Sequence, residues 1–150
     1  ATSGGAIDYD RVYRDITEKI APQFPLLKQG EVGYDPAFAT DIANRLRDQA
    51  GMNTIEVLQN YKHLSEPAQV FEALVKTGKW RHDGHPVLRW NVENVAVKKD
   101  DAGRIRPVKP RRAGKKIDGV SASLMALSRL MVQPEPEPPS VYETRGLLIP

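Results

Sequence analysis

Short apolar segments alternate with stretches of helical periodicity in the first half of the chain, and this alternation restricts the fold more than any other feature of the sequence. Residues 31–34 and 52–58 are predicted strands bounded by turn-forming residues. The stretch between them is a predicted helix, because Pro36 suits a first helical turn and Gly51 suits a helix end. Its apolar face consists of Phe38, Ile42 and Leu46. Strands that alternate with helices indicate the α/β class.

The remaining sequence predicts further helices and one basic hairpin. Ser65 is the expected N-cap of a third helix that ends at Lys76, with Pro67 in its first turn. Residues 95–109 predict a β-hairpin whose turn lies at residues 100–103. Apolar spacing predicts the other helices at residues 8–21, 86–95 and 117–131.

The length of 150 residues suits one domain with a core of its own. Two core strands are few for a sheet, which usually has about five or six, so we expect a sheet that lacks some of its strands. A proline-rich acidic segment begins at Gln133 and predicts an extended linker. We therefore expect a domain over residues 1–132, followed by a linker and tail over residues 133–150.

Several function classes are excluded by residues or motifs that the sequence lacks. Cys is absent, which excludes disulfides, thiolate zinc sites and cysteine nucleophiles. The phosphate-binding motifs of P-loop and dinucleotide-binding enzymes are absent, as is the nucleophile elbow of α/β-hydrolases. No apolar run approaches the roughly 20 residues of a membrane-spanning helix, so we expect no membrane partner.

Positive charge is concentrated between Lys98 and Lys116. This stretch holds nine basic and two acidic residues, a net charge of +7, whereas the whole chain carries only +3. Such a block is typical of proteins that bind a polyanion such as DNA, and a solvated surface loop is the equally weighted alternative. The candidate DNA-binding residues are Lys98, Lys99, Arg104, Arg106, Lys109, Arg111, Arg112, Lys115 and Lys116.

Two carboxylates lie where a cation site would need them. Asp35 follows a predicted strand, and ligand sites of open α/β sheets lie at the carboxyl ends of strands. Asp118 lies in the first turn of the predicted helix at residues 117–131. Oxygen ligands from two separate elements suit Mg²⁺ or Mn²⁺. A turn-forming role for Asp35 and a helix-dipole role for Asp118 are the simpler alternatives.

A weaker metal signal is the pair formed by His82 and His85. Their His-x-x-His spacing permits metal binding, but a turn that contains two polar imidazoles is the favoured interpretation. The third histidine, His63, does not complete the His-Glu-x-x-His motif of zinc enzymes.

The order of several motifs resembles the C-terminal nuclease region of tailed-bacteriophage terminase large subunits. The most specific motif is Lys-Ile-Asp-Gly at residues 116–119, together with Trp90 and Asn94 upstream. Val-Gly-Tyr-Asp-Pro at residues 32–36 fits the same family in the same order. Further matching segments are Ile-Asp-Tyr-Asp at residues 7–10, Leu-Ser-x-Pro at 64–67, Gly-Lys at 78–79, His-x-Gly-His-Pro-Val-Leu-x-Trp at 82–90 and Gly-x-Ile-x-Pro-x-Lys at 103–109.

This resemblance implies an RNase H-like nuclease fold and a metal-dependent endonuclease that cleaves concatemeric double-stranded DNA during genome packaging. The family's site uses three acids around Mg²⁺ or Mn²⁺, and by motif Asp35 corresponds to the second acid and Asp118 to the third. The first acid lies on an opening strand that has no counterpart in the sequence, so we expect the chain to be the C-terminal part of the nuclease domain. Residues expected beside the site are His82, His85 and Asn94, and His85 stands where the family often has Asn.

The resemblance also implies partners and a location. The partners are double-stranded DNA, the terminase small subunit and the portal, and the location is the host-cell cytoplasm. The missing first acid leaves a second interpretation, a non-catalytic DNA-binding or packaging-partner fragment. A third, another RNase H-like enzyme such as a resolvase or an integrase, is disfavoured by Trp90, Asn94 and the segment at residues 116–119.

Overall fold

The computed structural model describes residues 7–24, 30–111 and 114–132. In chain order these residues form α1 (Tyr9–Arg14), a π-helix (Asp15–Ile20), a 3₁₀ turn (Ala21–Gln23), β1 (Glu31–Tyr34), α2 (Pro36–Ala50), β2 (Asn53–Glu56), α3 (Tyr61–Lys76), α4 (Pro86–Glu93), β3 (Ala96–Lys99), β4 (Ile105–Val108) and α5 (Asp118–Leu130). The predicted linker and tail at residues 133–150 lie outside the described residues, as does Arg112.

The parallel pair β1–β2 is the centre of the fold. The two strands pair in register from Glu31, which lies opposite Asn53, and α2 connects them. α2 has Asp35 as its N-cap and begins at Pro36. It ends before Gly51, whose φ of 65° is a left-handed conformation that glycine adopts readily. The alternating pattern therefore predicted these three elements correctly, and in the described part of the chain the parallel sheet has the two strands expected.

Helices cover both faces of this sheet and create two apolar clusters. Along β1, Val32 packs on one cluster and Gly33 faces α5 on the other side, as the alternation of a strand requires. The buried residues of the first cluster are Ala21, Leu46 and Met52. Those of the second are Val57, Leu64, Val120, Leu124 and Met125. At Gly33 a Cβ atom would lie 3.2 Å from Val57 Cγ2 and 3.9 Å from the Met125 backbone oxygen, so glycine avoids crowding Val57 where β1 faces α5.

The predicted helix at residues 8–21 changes its form along its length. Asp8 caps α1 by accepting a 3.0 Å hydrogen bond from the backbone N–H of Arg11. The chain then becomes π-helical over Asp15–Ile20 and forms a 3₁₀ turn over Ala21–Gln23. Helical structure in this region is confirmed, whereas the expectation of one uniform helix was wrong.

α3 begins five residues earlier than the sequence predicts. Asn60 is its N-cap, because its Oδ1 accepts a 3.0 Å hydrogen bond from the backbone N–H of His63. Ser65 lies inside the helix, where its hydroxyl accepts a 3.0 Å hydrogen bond from the backbone N–H of Ile105 in β4. Pro67 also lies inside the helix rather than in its first turn. The predicted start was wrong because Asn60 supplies the cap and Ser65 instead serves a contact with the hairpin.

β3 and β4 form the predicted antiparallel hairpin, in which Ala96 lies opposite Val108. Asp100 closes the turn: its backbone oxygen accepts a 2.9 Å hydrogen bond from Gly103, and its carboxylate accepts one of 2.9 Å from the backbone N–H of Arg104. α4 and α5 also form within two residues of their predicted bounds. Within the described residues, every helix is too short or too polar to cross a membrane.

Candidate cation and DNA-binding site

Asp35 lies at the carboxyl end of β1, and both of its carboxylate oxygens accept hydrogen bonds. Oδ1 accepts a 3.0 Å bond from the backbone N–H of Ala37 in the first turn of α2. Oδ2 accepts a 2.6 Å bond from the side-chain amide of Gln59. Its capping role explains why an Asp-Pro pair follows the strand, and the two bonds fix the orientation of the carboxylate.

Asp118 is the first residue of α5, and its side chain is exposed. The preceding residue, Ile117, gives the helix no side-chain cap. The Asp118 carboxylate makes no hydrogen bond or ion pair with the described residues, so the helix N-terminus is the feature that favours its negative charge. It is therefore available to a ligand.

Gln59 connects the surroundings of the two aspartates. Its amide nitrogen binds Asp35, and the same residue lines a cavity of about 270 Å³ together with Asp118, Glu31 and Gly33. Sequence reasoning missed Gln59. The available signal was its position three residues after β2, because polar residues that follow neighbouring parallel strands lie at one edge of the sheet.

The carboxylate oxygens at this edge of the sheet are of the type that a divalent cation binds. Mg²⁺ is a hard cation that is usually held by one or two carboxylates together with water and substrate phosphate oxygens. Across residues 7–24, 30–111 and 114–132, no group of three or more His, Asp and Glu side chains is placed to hold a metal ion. Asp35 and Asp118 therefore belong to no such group in this part of the chain, and their sharing of one cation stays a prediction.

Glu31 lines the same cavity, but its carboxylate is engaged by Arg129 of α5. The guanidinium donates two hydrogen bonds, of 2.7 Å from Nε and 3.2 Å from Nη2. The hydrogen bond with Glu31 raises the pKa of Arg129 above its ordinary value, although burial opposes this. This pair ties the start of β1 to the last turn of α5 and does not extend the oxygen cluster.

His82 and His85 serve the turn before α4. The Nδ1 atom of His82 accepts a 2.9 Å hydrogen bond from the backbone N–H of Gly84, and Nδ1 of His85 accepts one of 3.2 Å from Val87. His85 is thereby the N-cap of α4. Neither imidazole lines the cavity beside Asp118, and these contacts support the turn interpretation of their spacing.

Asn94 lies beside the start of α5, and its predicted place beside a cation site stays a prediction. Its amide nitrogen donates a 3.1 Å hydrogen bond to the backbone oxygen of Lys116. Asn91, which the sequence analysis did not single out, accepts a 2.7 Å hydrogen bond from the backbone N–H of Gly119. The signal for Asn91 was its spacing of three residues from Asn94, which places both on one helix face.

The predicted DNA-binding residues differ in how freely their charges are presented. Arg104 is held by Asp100 at 2.8 Å, and the half-buried Arg106 has its guanidinium carbon 5.1 Å from the ring centroid of Tyr61. Nη1 of Arg106 also lies 3.5 Å from the backbone oxygen of Gln59, next to the candidate cation site. Lys115 is half-buried. Those that are exposed and make no ion pair with described residues are Lys98, Lys99, Lys109, Arg111 and Lys116.

A family model of the terminase large subunit endonuclease domain matches residues 1–133. The chain belongs to this family. The terminase resemblance of the sequence is thereby confirmed, and so is its mixed α/β architecture. Asp35 and Asp118 of this terminase domain both lie within the residues that the family model covers.

Relatives and a solved structure support the same assignment. The terminase domain is 34% identical over 135 residues to Protein YmfN of Escherichia coli (strain K12), covering 87% of this chain and 28% of YmfN. It is 31% identical over 128 residues to the terminase large subunit of Enterobacteria phage HK97, covering 84% of this chain and 24% of that protein. The crystal structure of the HK97 large terminase matches with a TM-score of 0.69 and 28% identity, covering 83% of this chain and 25% of that one. The chain thus spans about a quarter of the length of these relatives.

Proposed function

We propose that this domain is the divalent-cation-dependent endonuclease unit of a terminase, with an RNase H-like arrangement, and that it cleaves concatemeric double-stranded DNA during genome packaging. The observation that carries the proposal is the placement of Gln59, which binds Asp35 at the carboxyl end of β1 and lines a cavity together with Asp118. Membership in the terminase endonuclease family supports the nuclease role.

Asp35 and Asp118 are the residues that would hold Mg²⁺ or Mn²⁺. A cation held there would activate water and stabilise the leaving 3′-oxygen of the phosphodiester. Gln59 orients Asp35 through its 2.6 Å hydrogen bond, and the unbonded carboxylate of Asp118 is the more readily recruited ligand. Two carboxylates that lie close together repel each other, and a cation bound between them would offset that repulsion.

The basic hairpin would bind the phosphate backbone of the duplex and position it, without reading its sequence. Arg106 supports this role, because it lies within 3.5 Å of the Gln59 backbone and so connects the hairpin with the proposed cation centre. The partners we propose are double-stranded DNA, the terminase small subunit and the portal, within the host-cell cytoplasm.

A second candidate function is a non-catalytic DNA-binding or packaging-partner role. One observation favours it: in the part of the chain described by the structure, Asp35 and Asp118 belong to no group of three acids that could hold a metal ion. The two candidates make opposite statements about cleavage and the same statement about DNA binding.

The Asn variants of the two aspartates distinguish these candidates. In the longest natural polypeptide that contains this sequence, Asp35→Asn and Asp118→Asn should each abolish Mn²⁺-dependent cleavage and leave duplex binding within about threefold, because the basic hairpin is untouched. Plasmid cleavage and a gel-shift titration measure the two quantities. Normal cleavage by either variant would remove that residue from the proposed site, and a wild-type protein that binds DNA but never cleaves it would favour the second candidate.

A further inference from the structure

α4 carries two buried amide side chains that face α5. Asn91 is 3% exposed and Asn94 is 2% exposed, and together with Ser65 they are the buried polar residues of the described part of the chain. Burial of an amide is unfavourable unless it is hydrogen-bonded. Two polar residues in this apolar interface therefore require hydrogen-bond partners.

Both amides bind the backbone at the start of α5. Oδ1 of Asn91 accepts a 2.7 Å hydrogen bond from the N–H of Gly119, while its Nδ2 donates one of 3.0 Å to the Val87 oxygen of its own helix. Nδ2 of Asn94 donates a 3.1 Å hydrogen bond to the oxygen of Lys116. The two contacts hold the chain on either side of Asp118.

The start of α5 depends on these contacts because it has no cap of its own. Ile117 supplies no side-chain hydrogen bond, so Asn91 satisfies an N–H group of the first turn from a neighbouring helix. Gly119 makes this approach possible: a Cβ there would lie 3.3 Å from Asn91 Oδ1 and 3.2 Å from Leu88 Cδ1.

The environment of Asn94 points to its donor group as the reason for its presence. Its Oδ1 atom is buried without a hydrogen-bond partner among the described residues, which is unfavourable for stability. An apolar side chain would avoid that penalty but would lose the bond to Lys116. The residue is thus better explained by what its nitrogen holds than by packing.

We propose that Asn91 and Asn94 are positioning residues for Asp118. They hold the backbone at residues 116 and 119, and so fix the position from which the Asp118 backbone presents its carboxylate to the cation. This inference rests on the proposed function, because it takes Asp118 as a cation ligand. Partners that orient metal ligands typically change metal affinity by 10–100-fold when they are mutated.

Mn²⁺ titration of the chain, followed by electron paramagnetic resonance, tests the proposal without reference to cleavage. Asn94→Leu should raise the Kd for Mn²⁺ by about tenfold or more, with a folded circular dichroism spectrum. The matched control is Val92→Leu on the same helix, because Val92 is 45% exposed and its side chain makes neither contact. We expect Val92→Leu to bind Mn²⁺ within about threefold of wild type, since only Asn94→Leu removes the donor to Lys116.

Two further variants keep the outcome decisive. Should Asn94→Leu fail to fold, Gly119→Ala tests the other contact, that of Asn91, since its Cβ would lie 3.3 Å from Asn91 Oδ1 and 3.2 Å from Leu88 Cδ1; an unchanged Mn²⁺ affinity in a folded variant of either kind overturns the proposal. Asp118→Asn is the reference. If it abolishes Mn²⁺ binding while the Asn94 and Gly119 variants bind normally, only the positioning role is wrong. If it leaves Mn²⁺ affinity unchanged, the cation centre and the positioning role are both wrong.

Discussion

Asp35 has two roles that a single carboxylate must satisfy at once. It caps α2 through Ala37 and receives the amide of Gln59, and it is also a candidate cation ligand. The first role needs an oxygen acceptor, whereas the second needs negative charge. Two substitutions at this residue separate them.

We expect Asp35→Asn to keep the stability of the chain and Asp35→Ala to lose about 0.5–2 kcal/mol of unfolding free energy. Asparagine is as good an N-cap as aspartate, and the Gln59 amide can rotate to pair with it, whereas alanine offers no acceptor. Urea unfolding measures the difference. Equal stability of the two variants would show that the Ala37 contact contributes nothing to α2.

The sequence predicted the residues whose signal is local and missed those whose role is tertiary. Asp35 stands between a strand and a proline, and Asp118 opens a strongly periodic helix, so each is visible from its neighbours. Gln59 and Asn91 have no such neighbours: their importance comes from Asp35 and Gly119, which are 24 and 28 residues away. Their spacing from β2 and from Asn94 indicated which edge or helix face they occupy, but not the distant residues that they contact.

At the scale of elements, the hairpin divides its lysines between two faces. Lys98 lies opposite Arg106 in the register and shares its face, which is directed toward Gln59. Lys99 points to the other face, with Val97 and Ile105, which line an apolar groove against α3. Both lysines are exposed, so composition alone does not distinguish them.

We expect Lys98→Gln to weaken duplex binding and to reduce the slope of log K against log salt by about 0.9, the value for one lost phosphate contact. Lys99→Gln is the matched control and should change the slope little, because its side chain points away from the proposed cation centre. Fluorescence anisotropy at several salt concentrations gives both slopes. The reverse order of effects would place DNA on the other face of the hairpin.

The turn of the hairpin should respond to acid. Burial on its own would raise the pKa of Asp100, but hydrogen bonds from Arg104 and Ala102 outweigh it and lower the pKa below the ordinary 3.8. The ionised carboxylate therefore stabilises the turn fully above pH 3.8, and this stabilisation is lost as the pH falls through the lowered value.

We expect the amide resonance of Arg104, whose N–H is bonded to the Asp100 carboxylate, to shift in a titration whose midpoint lies below pH 3.8. Asp100→Asn should remove that titration, because asparagine has no proton to gain in this range. Two-dimensional NMR of the wild type and the variant gives the comparison. A midpoint at or above the ordinary value would mean that the turn contacts of Asp100 do not favour its charge.

Element boundaries were predictable where a single residue determines them. Gly51 ends α2 in the left-handed conformation that the sequence suggests. The start of α3 was not predictable in the same way, because Asn60, Ser65 and Pro67 all resemble helix-start residues and only the contact from Ser65 to Ile105 decides among them. The role of Ser65 inside α3 therefore depends on the hairpin, 40 residues further along the chain.

At the scale of the whole molecule, stability rests on two small apolar clusters rather than on a broad sheet. Leu124 and Leu64 are each 1% exposed and belong to the cluster between the sheet, α3 and α5. The layered α/β arrangement followed from the sequence, since alternating strands and helices have few other ways to bury their apolar faces. How the two clusters divide the residues was not predictable, because it depends on which face each strand residue takes.

Two leucines of α5 test this account. We expect Leu124→Ala to lose about 2–5 kcal/mol of unfolding free energy, since it leaves a cavity in the cluster. Leu130→Ala is the control on the same helix, where the side chain is 66% exposed, and it should change stability by no more than about 0.5 kcal/mol. Thermal melting ranks the two. Equal losses would mean that the buried cluster is not the main source of stability.

Gly33 in β1 affects how α5 packs on the sheet. Gly33 lies beneath Met125, near the middle of a helix about 20 Å long, and Asp118 lies seven residues away, or about 10 Å, at its end. Because a helix of this length moves as a rigid body, a valine at residue 33 would push the middle of α5 away from β1 and would tilt the end that carries Asp118. The position of Asp118 is thus determined partly by a residue that carries no side chain. The surface of the sheet therefore helps to align the candidate site.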